Sequence, residues 1–596
     1  MKVVAGTASP LEPASIDGPL SAHQKEYLEG FAAGLAAFGR LSPGGAATAA
    51  AVGAPSPAPE PETWFGFPLD EITNEERLKR DRNPLDIWDH LVAHAEANQA
   101  PAGGDVYRFK FHGLFYVAPA QDAFMVRVRV PGNVLSSVQL RALAAIARDL
   151  GGGHGDVTTR GNVQIREIAP ISIVEVLTRL SEVGLSSRGA GADNVRNITS
   201  SPLAGIDPDE LIDARPFARA LQHRLANNRD LFGLPRKFNV GFDGGGCVSV
   251  VAGTNDIGFV ATRCNPGAGL PAGVQFRVAL GGVTGHLRFA TDCGILVAPE
   301  QSVAVAVAMV RVFAAHGDRT DRKKARLCYL LERIGVDRFL ELTQQQLAFP
   351  LLRAGPEQCQ PRAAVDRHAH LGVRRQRQPQ LRSIGIAIPV GRMSVDQMLG
   401  LADLADDLGS KELRTTVWQN IIVPDVAESD VAQALRAIRA IGYDTSAGSI
   451  AAGLVACTGN TGCRFSATDT KAQAIALSRR LDGRVELDRP LNIHVTGCPN
   501  SCAQHVVADI GLLGAQLGGG ESPSHGYHVY VGGGIEDQQA LGRELVRNVP
   551  VEQLAPLLER LLRAYLAQRE GAETFGAFAR RRDIDALRAL TGSAQA

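Results

Sequence analysis

The chain has 596 residues, of which 45% are hydrophobic and 21% charged, so it is too long for one hydrophobic core and is expected to form several globular domains. Lys plus Arg and Asp plus Glu each total 62, which excludes a global charge that would attract nucleic acid. The sequence does not open on a basic segment followed by an apolar run and holds no stretch of about 18 uncharged apolar residues, so we expect a cytoplasmic protein without membrane contact.

The first 62 residues predict a helix followed by a linker. Ser21 is a typical helix N-cap, and apolar residues follow it at helical spacing: Tyr27, Phe31, Leu35 and Phe38. Residues 41–62 are small, rich in Pro and free of aromatic residues, which is typical of a flexible linker.

The sequence then contains an internal repeat. Residues 128–165 align with residues 386–423, which pairs Ser136 with Ser394 and the dipeptide Thr158-Thr159 with Thr415-Thr416. Each copy predicts a strand, an N-capped amphipathic helix, a glycine and a second strand, the β-α-β half of a ferredoxin-like unit. Two such halves can join as one domain. Residues 234–245 also resemble residues 487–498, so the repeat extends into larger α/β regions.

The repeat predicts an α+β chain with duplicated parts. The predicted boundaries are 1–62 for the N-terminal helix and linker, 63–170 for the first ferredoxin-like half-domain, 171–345 for the first α/β domain, 346–383 for a linker, 384–428 for the second half-domain and 429–590 for the second α/β domain. Residues 362–383 in the second linker include six arginines, which predicts either a solvated connection or a contact for an acidic partner.

Four of the nine cysteines form two pairs in the C-terminal half of the chain. Cys457 and Cys463 lie in "ACTGNTGCRFS", and Cys498 and Cys502 lie in "TGCPNSCAQH". Zinc is one alternative, although structural zinc sites usually have tighter Cys-x2-Cys loops. The wider and unequal spacings favour a [4Fe-4S] cluster, which binds one thiolate at each iron.

The other five cysteines are scattered among apolar segments, so we expect buried, inert thiols: Cys247, Cys264, Cys293, Cys328 and Cys359. His494 and His505 flank the second cysteine pair, and we expect both to be core or surface histidines rather than ligands.

Cys-x5-Cys followed by Cys-x3-Cys, within a duplicated α/β chain, resembles the sirohaem-dependent nitrite and sulfite reductases. The resemblance covers roughly residues 63–590. It implies the duplicated nitrite/sulfite reductase fold, in which two ferredoxin-like half-domains pair with two larger α/β domains that bind sirohaem and the [4Fe-4S] cluster. It also implies that Cys502 bridges the cluster to the sirohaem iron.

The resemblance further implies a basic pocket, because small anionic substrates and the sirohaem carboxylates both need Arg or Lys partners. The residues that would surround the substrate are Arg127, Arg196, Lys237 and Asn239. The residues that would line sirohaem, with Cys502, are Arg129, Thr159, Arg160, Asn162 and Gln164. Structural roles remain an alternative for Arg129, Arg160 and Gln164.

Asn239 favours nitrite over sulfite as the substrate. Sulfite reductases of this family typically have Lys-x-Lys where this sequence has Lys237-Phe-Asn239, and a single Lys with a neutral amide suits a monoanion. We therefore expect assimilatory six-electron reduction of nitrite to ammonia.

The electron donor is expected to be a separate protein, since no Gly-x-Gly-x-x-Gly motif lies between a predicted strand and a helix. A ferredoxin, which is small and acidic, is the expected partner. Two basic segments could receive it, namely the arginines of residues 362–382 and the group Arg322, Lys323, Lys324 and Arg326.

Three rival interpretations remain. A ferredoxin-dependent sulfite reductase would share the cofactors, but Asn239 argues against it. A precorrin-3B synthase-like monooxygenase would share the cysteine pattern and the fold. A non-enzymatic iron–sulfur regulator would explain the cysteines, but not the repeat or the basic residues.

Overall fold

The structure, a computed structural model, describes residues 62–265, 269–446, 450–518 and 524–592. The helix predicted behind Ser21 lies outside these residues. From Glu62 onward the chain forms one compact unit. No helix in these described ranges is both long and apolar enough to cross a membrane.

The first part of the described chain contains the first copy of the repeat. Its elements are β1 (Thr63–Trp64), β2 (Phe67–Pro68), α1 (Asn74–Asp81), α2 (Trp88–Glu96), α3 (Asp105–Arg108), β3 (Leu114–Val117), β4 (Ala123–Val128), β5 (Val134–Ser136), α4 (Ser137–Leu150), β6 (His154–Val157), β7 (Val163–Ile168) and α5 (Ile173–Glu182).

The next part forms a six-stranded sheet in the order β13-β12-β11-β10-β9-β8, whose strands β8, β9 and β10 are parallel. Its elements are β8 (Thr199–Ser200), α6 (Arg215–Asn227), β9 (Val240–Asp243), β10 (Ile257–Arg263), β11 (Val274–Leu280), β12 (Thr291–Val297), α7 (Ser302–His316), α8 (Leu327–Ile334), α9 (Val336–Gln344) and β13 (Leu352–Arg353).

The second copy of the repeat follows, and a second α/β domain ends the chain. The elements of the second copy are β14 (Gly372–Arg375), β15 (Leu381–Ile386), β16 (Arg392–Ser394), α10 (Val395–Leu408), β17 (Glu412–Thr415), β18 (Ile421–Ala427) and α11 (Val431–Ala440). The last domain consists of β19 (Leu454–Ala456), α12 (Thr470–Leu481), β20 (Ile493–Thr496), β21 (Ile510–Leu517), β22 (Ser524–Val531), β23 (Arg543–Pro550), α13 (Val551–Gln568), α14 (Phe575–Arg581) and α15 (Ile584–Leu590). Its sheet runs β19-β20-β21-β22-β23, with the first three strands parallel.

The two half-domains exchange strands. β5 of the first copy pairs with β17 of the second, and β16 of the second pairs with β6 of the first, so the sheets β14-β15-β18-β17-β5 and β16-β6-β7-β4-β3 each contain strands of both copies. Helices α4 and α10 pack together over one shared hydrophobic core. The matched residues Ser136 and Ser394 form the same capping box at the starts of these helices, each side chain accepting a hydrogen bond from the backbone N–H three residues later.

The segment 346–383, predicted to be a linker, contains β13 and β14 and the start of β15. Five of its six arginines form ion pairs with carboxylates: Arg362 with Asp243, Arg367 with Asp509, Arg374 with Asp366, Arg377 with Glu210 and Arg382 with Glu428. These arginines are therefore used to hold the chain's own parts together rather than forming an open basic patch.

Candidate active site

The two cysteine loops follow the carboxyl ends of adjacent parallel strands. Cys457 comes directly after β19 and Cys498 lies two residues after β20, so the sheet brings the pairs together. The backbone N–H of Gly497 donates to the Cys457 Sγ at 3.2 Å. A side chain at Gly497 would collide with Ser466, so glycine is what allows the two loops to approach this closely.

The four thiols influence one another. Burial raises the pKa of Cys498 to about 11, with smaller contributions from Cys502, Cys463 and Cys457. No group of three or more Cys, His, Asp or Glu side chains among the described residues is arranged to hold a metal ion. The influence of the other three thiols on Cys498 places all four in one region, and Cys502 is the exposed member.

Arg166 joins the first half-domain to the first cysteine loop, a role that the sequence analysis missed. Its buried guanidinium donates to the Gly462 carbonyl at 3.1 Å and to the Thr458 hydroxyl at 2.8 Å. Arg166 lies two residues after Gln164 on β7, so both side chains point to the same face of the strand, and this spacing could have identified Arg166.

Arg127, Arg196 and Lys237 are half-buried and lie near one another and near Cys502. Burial lowers the pKa of Arg127 to about 10, and the Cys502 thiolate partly opposes this shift. The pKa of Lys237 is lowered to about 7, mainly by burial and with a contribution from nearby Arg326, while Cys502 opposes the shift. Burial is also the main cause that lowers the pKa of Arg196, and the nearby positive charge of Arg127 adds to the shift.

These cations lack carboxylate partners, unlike their neighbours. Within the described ranges, no carboxylate forms an ion pair with Arg127, Arg160, Arg196 or Lys237, and the Nε atoms of Arg160 and Arg196 are buried without a hydrogen-bond partner. By contrast, Arg322 contacts Asp193 at 2.8 Å and Arg326 contacts Asp256 at 2.8 Å. Because a buried charge without a counterion is costly, a set of this kind suits an anionic ligand.

The group Arg322, Lys323, Lys324 and Arg326 was predicted as one possible contact for the electron donor. Lys323 and Lys324 are exposed, whereas Arg322 and Arg326 form ion pairs with Asp193 and Asp256.

The turn between β6 and β7 brings two predicted sirohaem-lining residues toward the cysteines. The Thr159 hydroxyl donates to the Cys502 carbonyl at 2.9 Å. Arg160 donates to the Asn197 carbonyl at 3.0 Å and to the Asn255 side chain at 2.5 Å, and burial lowers its pKa to about 10. Thr159 thus contacts the backbone of Cys502, and the assignment of both residues to sirohaem stays a prediction.

The other three predicted sirohaem-lining residues bond mainly to the protein itself. Arg129 donates to the carbonyls of Arg188 and Gly189 at 2.8 and 3.0 Å. The Asn162 side chain accepts from Thr158 at 2.5 Å, and the Gln164 side chain accepts from Arg166 at 3.0 Å. Their assignment to sirohaem stays a prediction, and in the structure they shape the loops around the site.

Asn239 lies two residues from Lys237, immediately before β9. Its backbone N–H donates to Asp256 at 2.8 Å, which fixes the start of the strand. Residues two apart in an extended chain point the same way, so Asn239 and Lys237 can face one ligand.

The two histidines of the cysteine region are buried, as expected. His494 packs against Trp418, and burial lowers its pKa to about 4. Of the five scattered cysteines, Cys293, Cys328 and Cys359 are buried, but Cys247 and Cys264 are only partly so. For these two, the expectation of full burial was wrong.

Family comparison assigns the parts of the chain. Residues 191–351 and 448–594 match the family described as the nitrite and sulphite reductase 4Fe-4S domain, and residues 118–183 and 374–441 match the nitrite/sulfite reductase ferredoxin-like half domain. The chain belongs to the nitrite and sulphite reductase family. The predicted family, its duplicated fold and its [4Fe-4S] cluster are confirmed, while the precise domain boundaries remain predictions.

Similar members of the nitrite and sulphite reductase family cover nearly the whole described chain. The ferredoxin–nitrite reductase of Synechococcus elongatus is 34% identical over 521 residues, which is 86% of this chain and 98% of that protein. The ferredoxin–nitrite reductase of Leptolyngbya laminosa is 36% identical over 497 residues, covering 82% and 96%. The sulfite reductase [ferredoxin] 1 of Mycolicibacterium paratuberculosis is 32% identical over 472 residues, covering 78% and 83%.

One solved structure has a similar fold. The structure of the Mycobacterium tuberculosis NirA protein superposes with a TM-score of 0.79 at 27% identity and covers 87% of this chain and 98% of that one.

Proposed function

We propose that this chain is a ferredoxin-dependent nitrite reductase that converts nitrite to ammonium: NO2⁻ + 6 e⁻ + 8 H⁺ → NH4⁺ + 2 H2O. Relatives that carry the name ferredoxin–nitrite reductase match it over more than four-fifths of its length. The proposed setting is cytoplasmic nitrate assimilation.

The observation that carries the proposal is the group of half-buried cations near Cys502 that, among the described residues, have no carboxylate partner. Arg127, Arg160, Arg196 and Lys237 all have a lowered pKa whose main cause is burial. Sirohaem carries carboxylates and nitrite is an anion, so together they would supply the negative charge that these residues lack. The residues present therefore fit both the cofactor and the substrate.

In the proposed mechanism Cys457, Cys463, Cys498 and Cys502 hold the cluster, and Thr159 and Arg160 hold sirohaem next to Cys502. When bound, the two cofactors would supply single electrons to nitrite. Arg127 and Arg196 would bind the nitrite oxygens and stabilise charge as the N–O bonds break.

Lys237 would deliver protons during the reduction. Its pKa of about 7 leaves it able both to carry a proton and to release one near neutral pH. Asn239, two residues away, would orient the bound anion through its neutral amide.

A ferredoxin would approach where the cluster loop reaches the surface. Arg464 and Phe465 are exposed directly after Cys463, and the Arg464 guanidinium lies over the Phe465 ring at 4.8 Å. An exposed cation and an exposed aromatic ring next to a cluster ligand suit an acidic donor that must come close to the cluster.

Sulfite reduction is the second candidate, because a ferredoxin-dependent sulfite reductase is also among the relatives. The test is the visible absorption spectrum of protein purified from a host that makes sirohaem, recorded with nitrite and separately with sulfite under reducing conditions. We expect sirohaem bands that shift with nitrite. Bands that respond to sulfite alone would favour the second candidate, and a cluster spectrum without haem bands would contradict both.

A further inference from the structure

Cys264 and Cys359 lie directly opposite each other in a short antiparallel bridge. Cys264 follows the end of β10, and Cys359 belongs to the segment that follows β13. The backbone N–H of Asn265 donates to the Gln358 carbonyl at 2.8 Å, and the N–H of Gln360 donates to the Arg263 carbonyl at 2.8 Å. These two hydrogen bonds flank the cysteines, which makes them a non-hydrogen-bonded cross-strand pair.

This position matches the geometry of a disulfide. In such pairs the Cα atoms are about 4.5 Å apart and the side chains lie on the same face of the sheet. Disulfides span Cα separations of about 4.4 to 6.8 Å. Both side chains belong to one small apolar cluster with Leu296 and Ala354, and the neighbouring Cys359 thiol adds to the effect of burial in raising the pKa of Cys264.

The surroundings of the two thiols differ in a way that assigns an order of reaction. Cys264 is partly exposed, whereas Cys359 is buried. The Arg277 guanidinium donates to the Cys359 Sγ at 3.5 Å, so this thiol is held within the protein. Cys264 is thus the thiol that a small molecule can reach, and Cys359 is positioned to react second.

We propose that Cys264 and Cys359 are a reversible dithiol–disulfide site that exchanges with small-molecule disulfides. The Cys264 thiolate attacks one sulfur of the small disulfide, forms a mixed disulfide and releases one thiolate. The Cys359 thiolate then attacks the Cys264 Sγ and releases the second. Two protein thiols become one disulfide as one small disulfide becomes two thiols, so no other oxidant is needed, and an excess of small thiol reverses the reaction.

The cross-link would act on the connection between the α/β domains. Cys359 lies three residues before Arg362, which pairs with Asp243 of the first α/β domain and lies 3.8 Å from Glu536 of the second. Arg367 pairs with Asp509, again in the second domain. A disulfide would fasten the start of this connection to the end of β10 and restrain it. The site is separate from the residues proposed to bind nitrite.

The test uses the cluster-loaded protein, equilibrated with oxidised glutathione or with dithiothreitol while the cluster absorbance is followed. Remaining free thiols are alkylated, and peptides are identified by mass spectrometry. We expect a linked peptide pair joining residues 264 and 359 in the oxidised sample, two hydrogen masses lighter than the separate peptides, and its loss after reduction. The cross-linked protein should also unfold at a higher temperature.

Serine variants distinguish the two roles. Cys359→Ser should trap glutathione on Cys264, Cys264→Ser should give no cross-link, and Cys328→Ser, at a buried cysteine outside the pair, should cross-link like the parent. The proposal is overturned if both thiols stay alkylatable after oxidation with the cluster intact, or if Cys264 links equally to other cysteines.

Discussion

The two copies of the repeat share one backbone fold but differ in the side chains at matching positions of their turns. Thr158 and Thr416 each make the same turn, with the threonine N–H donating to the carbonyl of the asparagine four residues later. Gly161 and Gln419 occupy equivalent left-handed positions, with φ of 61° and 63°. The structure therefore pairs Thr158 with Thr416, one residue away from the pairing predicted with Thr415.

With this pairing, the residue of the second copy that corresponds to Arg160 can be identified. Arg160 of the first copy corresponds to Trp418, which is buried and stacks on His370 with ring centroids 6.0 Å apart. In the α/β domains, the alignment of residues 234–245 with residues 487–498 places Pro490 where the first copy has Lys237. The turn fixes the fold in both copies, while a few side chains decide whether the surface binds an anion or packs as core.

We expect the largest effect on activity from exchanging the side chains of Arg160 and Trp418. Arg160→Trp should give the first copy the apolar character of the second, remove a proposed carboxylate partner and reduce nitrite reduction to background, with sirohaem lost from the purified protein. The measurement is the sirohaem-to-iron ratio together with activity.

The reverse substitution, Trp418→Arg, has a different expected result. Trp418→Arg buries a cation where no ligand binds, so it should destabilise the protein by about 3 to 5 kcal/mol in denaturant unfolding. The comparison fails if Arg160→Trp retains full sirohaem.

A second test removes Lys237. Lys237→Met should lower kcat/KM for nitrite about 100-fold, the usual scale for losing a proton donor. In the parent, kcat/KM should fall as the pH rises through about 7, because Lys237 loses its proton there. Lys237→Arg should retain binding and move this fall to higher pH. An unchanged pH profile in Lys237→Arg would assign the proton donor elsewhere.

A substitution where ferredoxin is proposed to dock, at Arg464, should have a smaller effect on activity. Arg464→Glu should raise the KM for reduced ferredoxin about tenfold through charge repulsion, and less at high ionic strength. Activity with a small artificial reductant should stay unchanged. Lys323→Glu is the matched control, because Lys323 is also an exposed cation. If Lys323→Glu has the larger effect, the donor docks at that surface instead.

The smallest effect is expected at Asn239. The second copy has an asparagine at the matching position, Asn492, and its backbone N–H donates to Asp509 at 2.9 Å just as that of Asn239 donates to Asp256. Asn239→Lys should therefore leave the fold intact and shift the ratio of nitrite to sulfite turnover by about tenfold toward sulfite. A stable variant with an unchanged ratio would show that this position does not select the substrate.

The sequence was sufficient for features that depend on local pattern. The capped helices at Ser136 and Ser394 and the paired cysteines follow from residue types at fixed spacing, and both were located correctly. Features that depend on distant partners were not predictable. Arg166 reaches a loop almost 300 positions away, and Arg362 and Arg367 pair with carboxylates of distant segments, Asp243 and Asp509.

We propose that the half-buried cations near Cys502 bind nitrite while electrons from ferredoxin reduce it. This proposal is tested most directly by measuring ammonium formed per nitrite consumed by the holoprotein with reduced ferredoxin, alongside sulfide formed from sulfite. We predict one ammonium for each nitrite, six ferredoxins oxidised, and a higher kcat/KM for nitrite than for sulfite. Turnover of sulfite with no ammonium from nitrite would contradict the account.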